Sequence, residues 1–435
     1  MAMAMATGFL FISLLISTTH AFDPCKTSSS SDDSELSVLH IYGKCSPFTP
    51  PKHESWFDTV LNMADKDSSR VTYLSTQKTV AAPIASGQVL NIGNYVVRVK
   101  LGTPGQLMYM VMDTSNDAAW VPCSGCSGCS SKVFTPNLST SFGSLDCKMA
   151  QCTQVRGLSC PDAEASPCQF NQSYGGDSSF SATLSQDSFS LASDVVPNYA
   201  FGCINSVSGR SVPPQGLLGL GRGPMSLISQ SGSVYSGVFS YCLPSFKSYY
   251  FSGSLKLGPT GQPKNIKTTP LLHNPHRPSL YYVNLTGISV GKIMVPVAPG
   301  LLDFNPSTGS GTVIDSGTVI TRFVQPIYTA IRDEYRKQID KDISSLGAFD
   351  TCFMTTNEDQ MPVITLHFTG MDLKLPTENT LIHSSSGSMA CLAMAAAPSN
   401  VNSVLNVIAN LQQQNLRILF DLTNSRLGIA REICN

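Results

Sequence analysis

An apolar run that ends in an aspartate followed by small polar residues occurs twice in this chain, and that repetition constrains the fold more than any other feature. The first copy is Tyr109-Met110-Val111-Met112-Asp113-Thr114-Ser115-Asn116; the second is Thr312-Val313-Ile314-Asp315-Ser316-Gly317-Thr318. Each reads as a strand that delivers its aspartate into a polar turn, because β-branched and apolar side chains suit a pleated surface and the residues after them suit turns. Two such elements predict two related lobes, each offering one carboxylate to a shared cleft.

The chain around them has the punctuation of a mainly β protein. Asn94-Tyr95-Val96-Val97-Arg98-Val99-Lys100-Leu101 predicts a strand, and Gly102-Thr103-Pro104-Gly105 makes a turn before the first aspartate strand. Short β-like runs cut by Gly, Ser and Pro follow. Residues 326–339 alone look strongly helical, with Ile327, Ile331 and Tyr335 four apart and Pro326 suited to the first turn. At 435 residues and 42% apolar composition, the chain is long enough for at least two cores. Its 28 basic and 29 acidic residues nearly cancel, which offers no electrostatic footprint for nucleic acid or an anionic membrane.

The N-terminal part has a different character. Residues 1–21 read as a signal peptide: Gly8 to Ile16 is almost wholly apolar, is too short to span a bilayer, and leads into Ser17-Thr18-Thr19-His20-Ala21. No later run is long enough for a membrane helix, and the C-terminal Arg431-Glu432-Ile433-Cys434-Asn435 lacks a lipid-anchor tail, so no membrane anchor is expected. Export agrees with 14 cysteines, read as disulfides formed in an oxidising compartment. Asn137, Asn171 and Asn284 head N-x-S/T tripeptides and are candidate glycosylation sites. Residues 22–85 begin with a low-complexity serine run and continue with Trp56, Val60, Met63, Val71 and Leu74 near helical spacing. That pattern predicts a removable prosegment whose helix covers the body, with ordered strands beginning just after it. Residues 86–265 and 266–435 are assigned to the N-terminal and C-terminal lobes.

Asp113-Thr114-Ser115 followed by Trp120, Tyr174-Gly175-Gly176, Gly216-Leu217-Leu218-Gly219-Leu220-Gly221, Asp315-Ser316-Gly317-Thr318 and Val407-Ile408-Ala409-Asn410 stand in the order found in pepsin-like aspartic proteases. The chain resembles that family from about residue 91 to residue 435. The cysteine-rich stretch after Trp120, with Phe349-Asp350-Thr351-Cys352-Phe353 and Gln412-Gln413-Gln414-Asn415, resembles its atypical, nepenthesin-like plant branch. The resemblance implies a mainly β, bilobal fold of two β-barrel-like lobes with a cleft between them. It also implies a secreted, monomeric endopeptidase of the extracellular space or apoplast (or of the vacuole), acting on peptides or proteins and bound by pepstatin-like inhibitors. No cofactor and no metal are expected.

The same resemblance assigns roles. Asp113 and Asp315 are the catalytic pair. Two carboxylates close together share one proton, so one can act as base towards a water while the other hydrogen-bonds the substrate carbonyl. Thr114 and Ser316 cross-bond the two loops; Asn116 and Thr318 reach the outer carboxylate oxygens; Ser115 and Gly317 complete the support. Tyr174 and Gly175 belong to a flap over the substrate, with Trp120 as the hydrogen-bond partner of Tyr174. Two positions depart from the family pattern. Ser115 replaces the glycine of most active members, at an expected steric cost, and Ala409 replaces the glycine of the second hydrophobic-hydrophobic-glycine motif. Ser115 keeps open a second reading: a protease-like binding protein or inhibitor of the plant cell wall with little or no turnover.

Three further motifs carry bland readings. Gly287-Ile288-Ser289-Val290-Gly291 matches the G-x-S-x-G pattern of serine hydrolases, but a strand rather than a helix is expected after it, so it reads as a hairpin. Gly219, Gly221 and Gly223 lack nucleotide-loop spacing and read as close backbone packing near the cleft. Cys123, Cys126 and Cys129 read as disulfide partners rather than metal ligands. Of the twelve cysteines after Cys45, nine fall in the first lobe and three in the second. Both counts are odd, so full pairing among them requires a bridge between the lobes. The family resemblance suggests Cys352–Cys391 within the second lobe and Cys203–Cys434 between the lobes.

Overall fold

The computed structural model describes residues 35–41, 43, 45–46, 56–75 and, between 95 and 434, all but 130–131, 161–165, 175–177, 210, 246–252, 356–359, 385–386 and 399–403. The expected signal peptide, Gly175 and the expected boundary of the prosegment at residue 85 lie outside the described residues.

Two mainly β lobes share an antiparallel platform. Side by side, its strands are Lys267–Leu272, Arg426–Arg431, Leu416–Asp421, Val238–Cys242, Gly253–Leu257 and β1 (Glu35–His40). Aromatic side chains fill its core: Phe239 stacks on Phe420 at 4.5 Å, and Tyr281 meets the same ring edge-on at 4.5 Å. β1 also pairs with β2 (Tyr95–Leu101), which continues into β3 (Gln106–Asp113) through an antiparallel ladder. In β2 only Arg98 and Lys100 face solvent, as the partial alternation of its sequence predicts. β1 corrects the expectation that ordered strands begin only after residue 85. Leu36, Val38 and His40 alternate into the interior, and the strand fills a slot between two strands that would otherwise present open edges.

The expected helix of the N-terminal segment is α1 (Trp56–Ser75). Phe57, Val60, Met63 and Ala64 pack on Val319, Ile320, Phe349 and Leu411, while Val71 and Leu74 pack on Tyr282, Val313 and Val407. Its apolar stripe therefore lies against the C-terminal lobe beside the second aspartate. The helix read at 326–339 spans Gln325–Ile339, with Ile327, Ile331 and Tyr335 buried.

The G-x-S-x-G stretch is a hairpin. Leu285–Val290 pairs with Ile293–Met294 across a tight turn in which Gly291 has φ 59°. Ser289 hydrogen-bonds His367 at 2.6 Å, and His367 bonds Asp372 at 2.7 Å. However, Ser289 lies inside a strand paired on both sides rather than at a strand-to-helix elbow. Among the glycan candidates, Asn137 and Asn171 are exposed, whereas Asn284 is half-buried and donates to Thr369 at 2.7 Å.

Disulfides join Cys126 to Cys129, Cys147 to Cys160, Cys152 to Cys168 and, as expected, Cys352 to Cys391. The expected Cys203–Cys434 bridge is not formed. Cys203 pairs with Cys123, its neighbour across the parallel strands Trp120–Ser127 and Asp194–Ser208, and Cys434 pairs with Cys242 at the end of a platform strand. The platform sets this outcome, because it places Val238–Cys242 beside Leu416–Asp421 and carries the C-terminus along that edge. The bridge between lobes thus exists with a different first-lobe partner. It closes a separation of 192 residues, for which chain entropy gives about 5 kcal/mol. Replacing Cys242 and Cys434 together by serine should lower unfolding stability in urea by up to about that amount. A shift of less than about 1 kcal/mol would show that the bridge adds little to the platform.

Candidate active site

The two aspartate strands run into the cleft in the same structural setting. β3 lies parallel to Leu217–Gly219, so that Asp113 stands opposite Gly219; Gly311–Ile314 lies parallel to Leu405–Ile408, and Asp315 N–H donates to Ile408 O at 3.0 Å. Side chains in the strands are buried on both faces, which explains their nearly continuous apolar sequences.

The turns then cross-bond. Thr114 N–H donates to Ser316 Oγ at 3.2 Å, and Ser316 N–H donates to Thr114 Oγ1 at 2.9 Å. Each carboxylate is received by matching donors from its own turn. Asp113 Oδ1 accepts Ser115 N–H at 2.8 Å and Asp315 Oδ1 accepts Gly317 N–H at 3.0 Å; Asp113 Oδ2 accepts Asn116 Nδ2 at 2.6 Å and Asp315 Oδ2 accepts Thr318 Oγ1 at 2.5 Å. Both aspartates are buried, at 0% and 1% exposure. The structure thus brings together Asp113, Thr114, Ser115, Asn116, Asp315, Ser316, Gly317 and Thr318, as the sequence motifs anticipate.

Ser115 differs from expectation. Among the described residues it is not one of the non-glycine positions with positive φ, so the anticipated backbone strain is absent. Its hydroxyl instead gives Asp113 Oδ1 an additional donor at 3.0 Å. At Ala409 the backbone is extended, with φ −92°, and its N–H donates to Thr321 Oγ1 at 3.0 Å. Gly219 has no such latitude, since a Cβ there would lie 2.0 Å from Asp117 O. Gly221 and Gly223 crowd the same aspartate, and Gly223 N–H donates to Asp117 Oδ1 at 2.8 Å. Burial raises the Asp117 carboxyl above its ordinary value, against the pull of Ser279 and that amide.

Trp120 and Tyr174 meet, but not through a hydrogen bond. Their rings pack edge-to-face at 5.4 Å and Trp120 Nε1 has no hydrogen-bond partner, which corrects the expected pairing. Tyr174 follows the Gln169–Ser173 strand, which pairs antiparallel with Ser179–Leu191. A small hollow beside Asp113 is lined by Ser115, Asn116, Asp117, Arg156, Met225 and Ser279.

Sequence reasoning found helix α1 but missed its decisive side chain. Arg70 enters between the two aspartates. Its Nη2 donates to Asp113 Oδ1 at 2.8 Å, to Ser115 Oγ at 2.6 Å and to Asp315 Oδ1 at 3.2 Å; its Nε donates to Asp315 Oδ2 and to Thr318 Oγ1, both at 3.0 Å. Gly317 leaves the space for it, because a Cβ there would lie 2.1 Å from Arg70 Nη2. Burial alone would raise the Asp113 carboxyl; the Arg70 charge, its hydrogen bond and the turn donors outweigh that and hold it below the ordinary value.

Comparison with known proteins agrees with this geometry. Family models described as the N-terminal and C-terminal parts of xylanase inhibitors match residues 95–259 and 280–431. The chain is 62% identical to aspartyl protease AED3 of Arabidopsis thaliana, with 98% of each chain covered. The chain belongs to the pepsin-like aspartic protease family. Aspartyl protease 25 of Oryza sativa subsp. japonica is 50% identical, with 92% of this chain and 95% of the relative covered. Nepenthesin-1, an aspartic proteinase of Nepenthes gracilis, is 32% identical over 88% of each chain. Among solved structures, edgp superposes with TM-score 0.62 at 21% identity over 79% of this chain and 92% of its own. Soybean basic 7S globulin does so with TM-score 0.61 at 19% identity over 78% and 93%. Those two likenesses establish the bilobal fold alone.

Proposed function

We propose that the chain is the zymogen of a secreted aspartic endopeptidase in which Asp113 and Asp315 are the catalytic pair and residues up to about 85 are the prosegment. The observation that carries this reading is the guanidinium of Arg70 held between two buried carboxylates, each already oriented by donors from its own turn. A cation there offsets the charge of the pair and fills the space a reacting water and peptide need.

Once the helix leaves, two adjacent carboxylates cannot both ionise cheaply and hold one proton between them. The ionised member takes a proton from a water as that water attacks the peptide carbonyl. The protonated member donates to the carbonyl oxygen, and collapse of the tetrahedral intermediate sends a proton to the leaving amine. Asn116 and Thr318 hold the outer oxygens in place, while the Thr114–Ser316 cross-bonds keep the lobes in register. Activity is expected to be highest in acid, where the singly protonated pair is populated. Peptides and proteins are the substrates, pepstatin-like inhibitors compete with them, and the matured protein acts as a monomer outside the cell. Incubation of the full chain across pH 3–7 with a peptide library tests the reading directly. Lack of acid-dependent cleavage at any pH, even after residues 1–85 are removed, would reject it.

A second reading, a protease-like binding protein with little turnover, draws on Ser115. Its hydroxyl favours the charged form of Asp113 beyond what the backbone donor supplies. Ser115→Gly removes this donor, so the Asp113 carboxyl should rise and the acid limb of the pH–rate profile should move upward by less than about one unit. If the matured wild type is inert and Ser115→Gly restores cleavage, the binding-protein reading is the correct one.

A further inference from the structure

Helix α1 presents two charged side chains of opposite sign to the C-terminal lobe. Arg70 meets the aspartates; Asp67, at i−3 and hence on the same face, enters a hollow just beyond the Asp315–Thr318 turn. There the Asp67 carboxylate, 3% exposed, accepts Val319 N–H at 3.0 Å on both oxygens and Ile320 N–H at 2.5 Å. Arg322 stands beside it, 4% exposed. Its Nη1 donates to Ala396 O at 2.8 Å, its Nη2 donates to Ala64 O of the helix at 2.5 Å, and its Nε has no hydrogen-bond partner. Burial pushes the Asp67 carboxyl up to about 7, and the Arg322 charge is the largest influence pulling it back.

Departure of the helix would strip this hollow of its acceptors. Val319 and Ile320 would lose the carboxylate on their amides, and Arg322 would lose Ala64 O while already lacking a partner at Nε. With the helix gone these donors line an open, apolar-floored hollow, and a carboxylate satisfies amide and guanidinium donors together. The floor around them, formed by Val319, Ile320, Phe349 and Ala395, is the apolar surface that the helix covers. We infer that this hollow is a substrate subsite for an acidic side chain, which Asp67 occupies as an internal mimic. Its position beside a scissile bond rests on the endopeptidase reading above. Arg70 and Asp67 are about 4.5 Å apart along the helix axis, roughly one to two residues of an extended peptide, which puts the acidic residue within about two positions of the cleaved bond.

Two measurements separate this inference from the endopeptidase reading. In the first, the full chain matured in acid is given paired peptides at pH 5.5 with Glu or Gln at each position flanking the cleaved bond. Glu should be favoured at one position by about tenfold in kcat/KM. Arg322→Gln should bring that ratio near one while cleavage of the Gln peptide persists. In the second, a peptide of residues 56–75 and its Asp67→Asn form are titrated against the same unmutated protein, which avoids dependence on the folding of an Arg322 variant. The Asn form should bind about tenfold more weakly. Equal cleavage of Glu and Gln peptides, or equal binding of the two helix peptides, overturns the inference and leaves the endopeptidase reading standing. Tighter binding of the Asp67 peptide with no cleavage of any peptide overturns both the substrate role of the hollow and the endopeptidase reading.

Discussion

Asp113→Asn and Asp315→Asn are each expected to lower peptide cleavage by about 10³- to 10⁴-fold while leaving the fold and the Cys242–Cys434 bridge intact. An amide preserves the shape of the carboxylate: its oxygen still accepts the turn amide N–H, and its NH2 can donate to the side-chain oxygen of Asn116 or Thr318 once that group turns round. It cannot take a proton from water, so the pair loses the single ionised member on which the chemistry depends. Near-wild-type circular dichroism and urea midpoint, combined with loss of turnover on a fluorogenic peptide, would bear this out. Turnover within tenfold of wild type in either variant would remove Asp113 or Asp315 from the catalytic role. The proposal requires both losses, because each lobe supplies one carboxylate to the cross-bonded turns and the mechanism uses both.

The aspartate turns were legible in sequence for a physical reason. An apolar run buried on both faces, an aspartate and a hydroxyl encode strand, turn and reciprocal cross-bond within a few residues, so the local pattern already contains most of the site. The close packing of Gly219, Gly221 and Gly223 is legible in kind but not in partner, since their crowding neighbour, Asp117, becomes visible only when two strands lie parallel. Cysteine parity correctly demanded a bridge between the lobes. It could not choose between Cys203 and Cys242, because that choice depends on the order of platform strands set by contacts far apart in sequence. β1 was overlooked for a related reason: a six-residue strand next to a serine run has little local signal, and its stability comes from the two strands it joins. Arg70 had no sequence signal at all. One arginine in an amphipathic helix is ordinary, and its meaning arises only from the place where the helix docks.

That docking leads to the second large effect. Arg70→Met keeps much of the side chain's length but leaves two buried carboxylates facing each other without a counter-charge. Removing one partner from a buried ion-pair cluster costs about 3–5 kcal/mol, so the helix should be displaced about 10²- to 10⁴-fold more readily at neutral pH. The pH dependence should change as well. In the wild type, Arg70 holds the Asp113 carboxyl below its ordinary value in the docked state. Docking is therefore at full strength above the value of the free carboxyl and weakens as pH falls towards the depressed one, which makes acid the release signal. Without the guanidinium that depression is lost. The facing carboxylates take up a proton more readily while docked, and acid no longer favours release. Full-length Arg70→Met should cleave a fluorogenic peptide without the lag expected of the wild type, and residual activity at pH 6–7 should rise the most. Arg70→Lys, which keeps the charge but loses the two-nitrogen fork, should fall between them. An Arg70→Met chain with the lag and the pH threshold expected of the wild type would show that the packing of Phe57, Val60 and Met63, rather than the ion pairs at the dyad, keeps the helix docked.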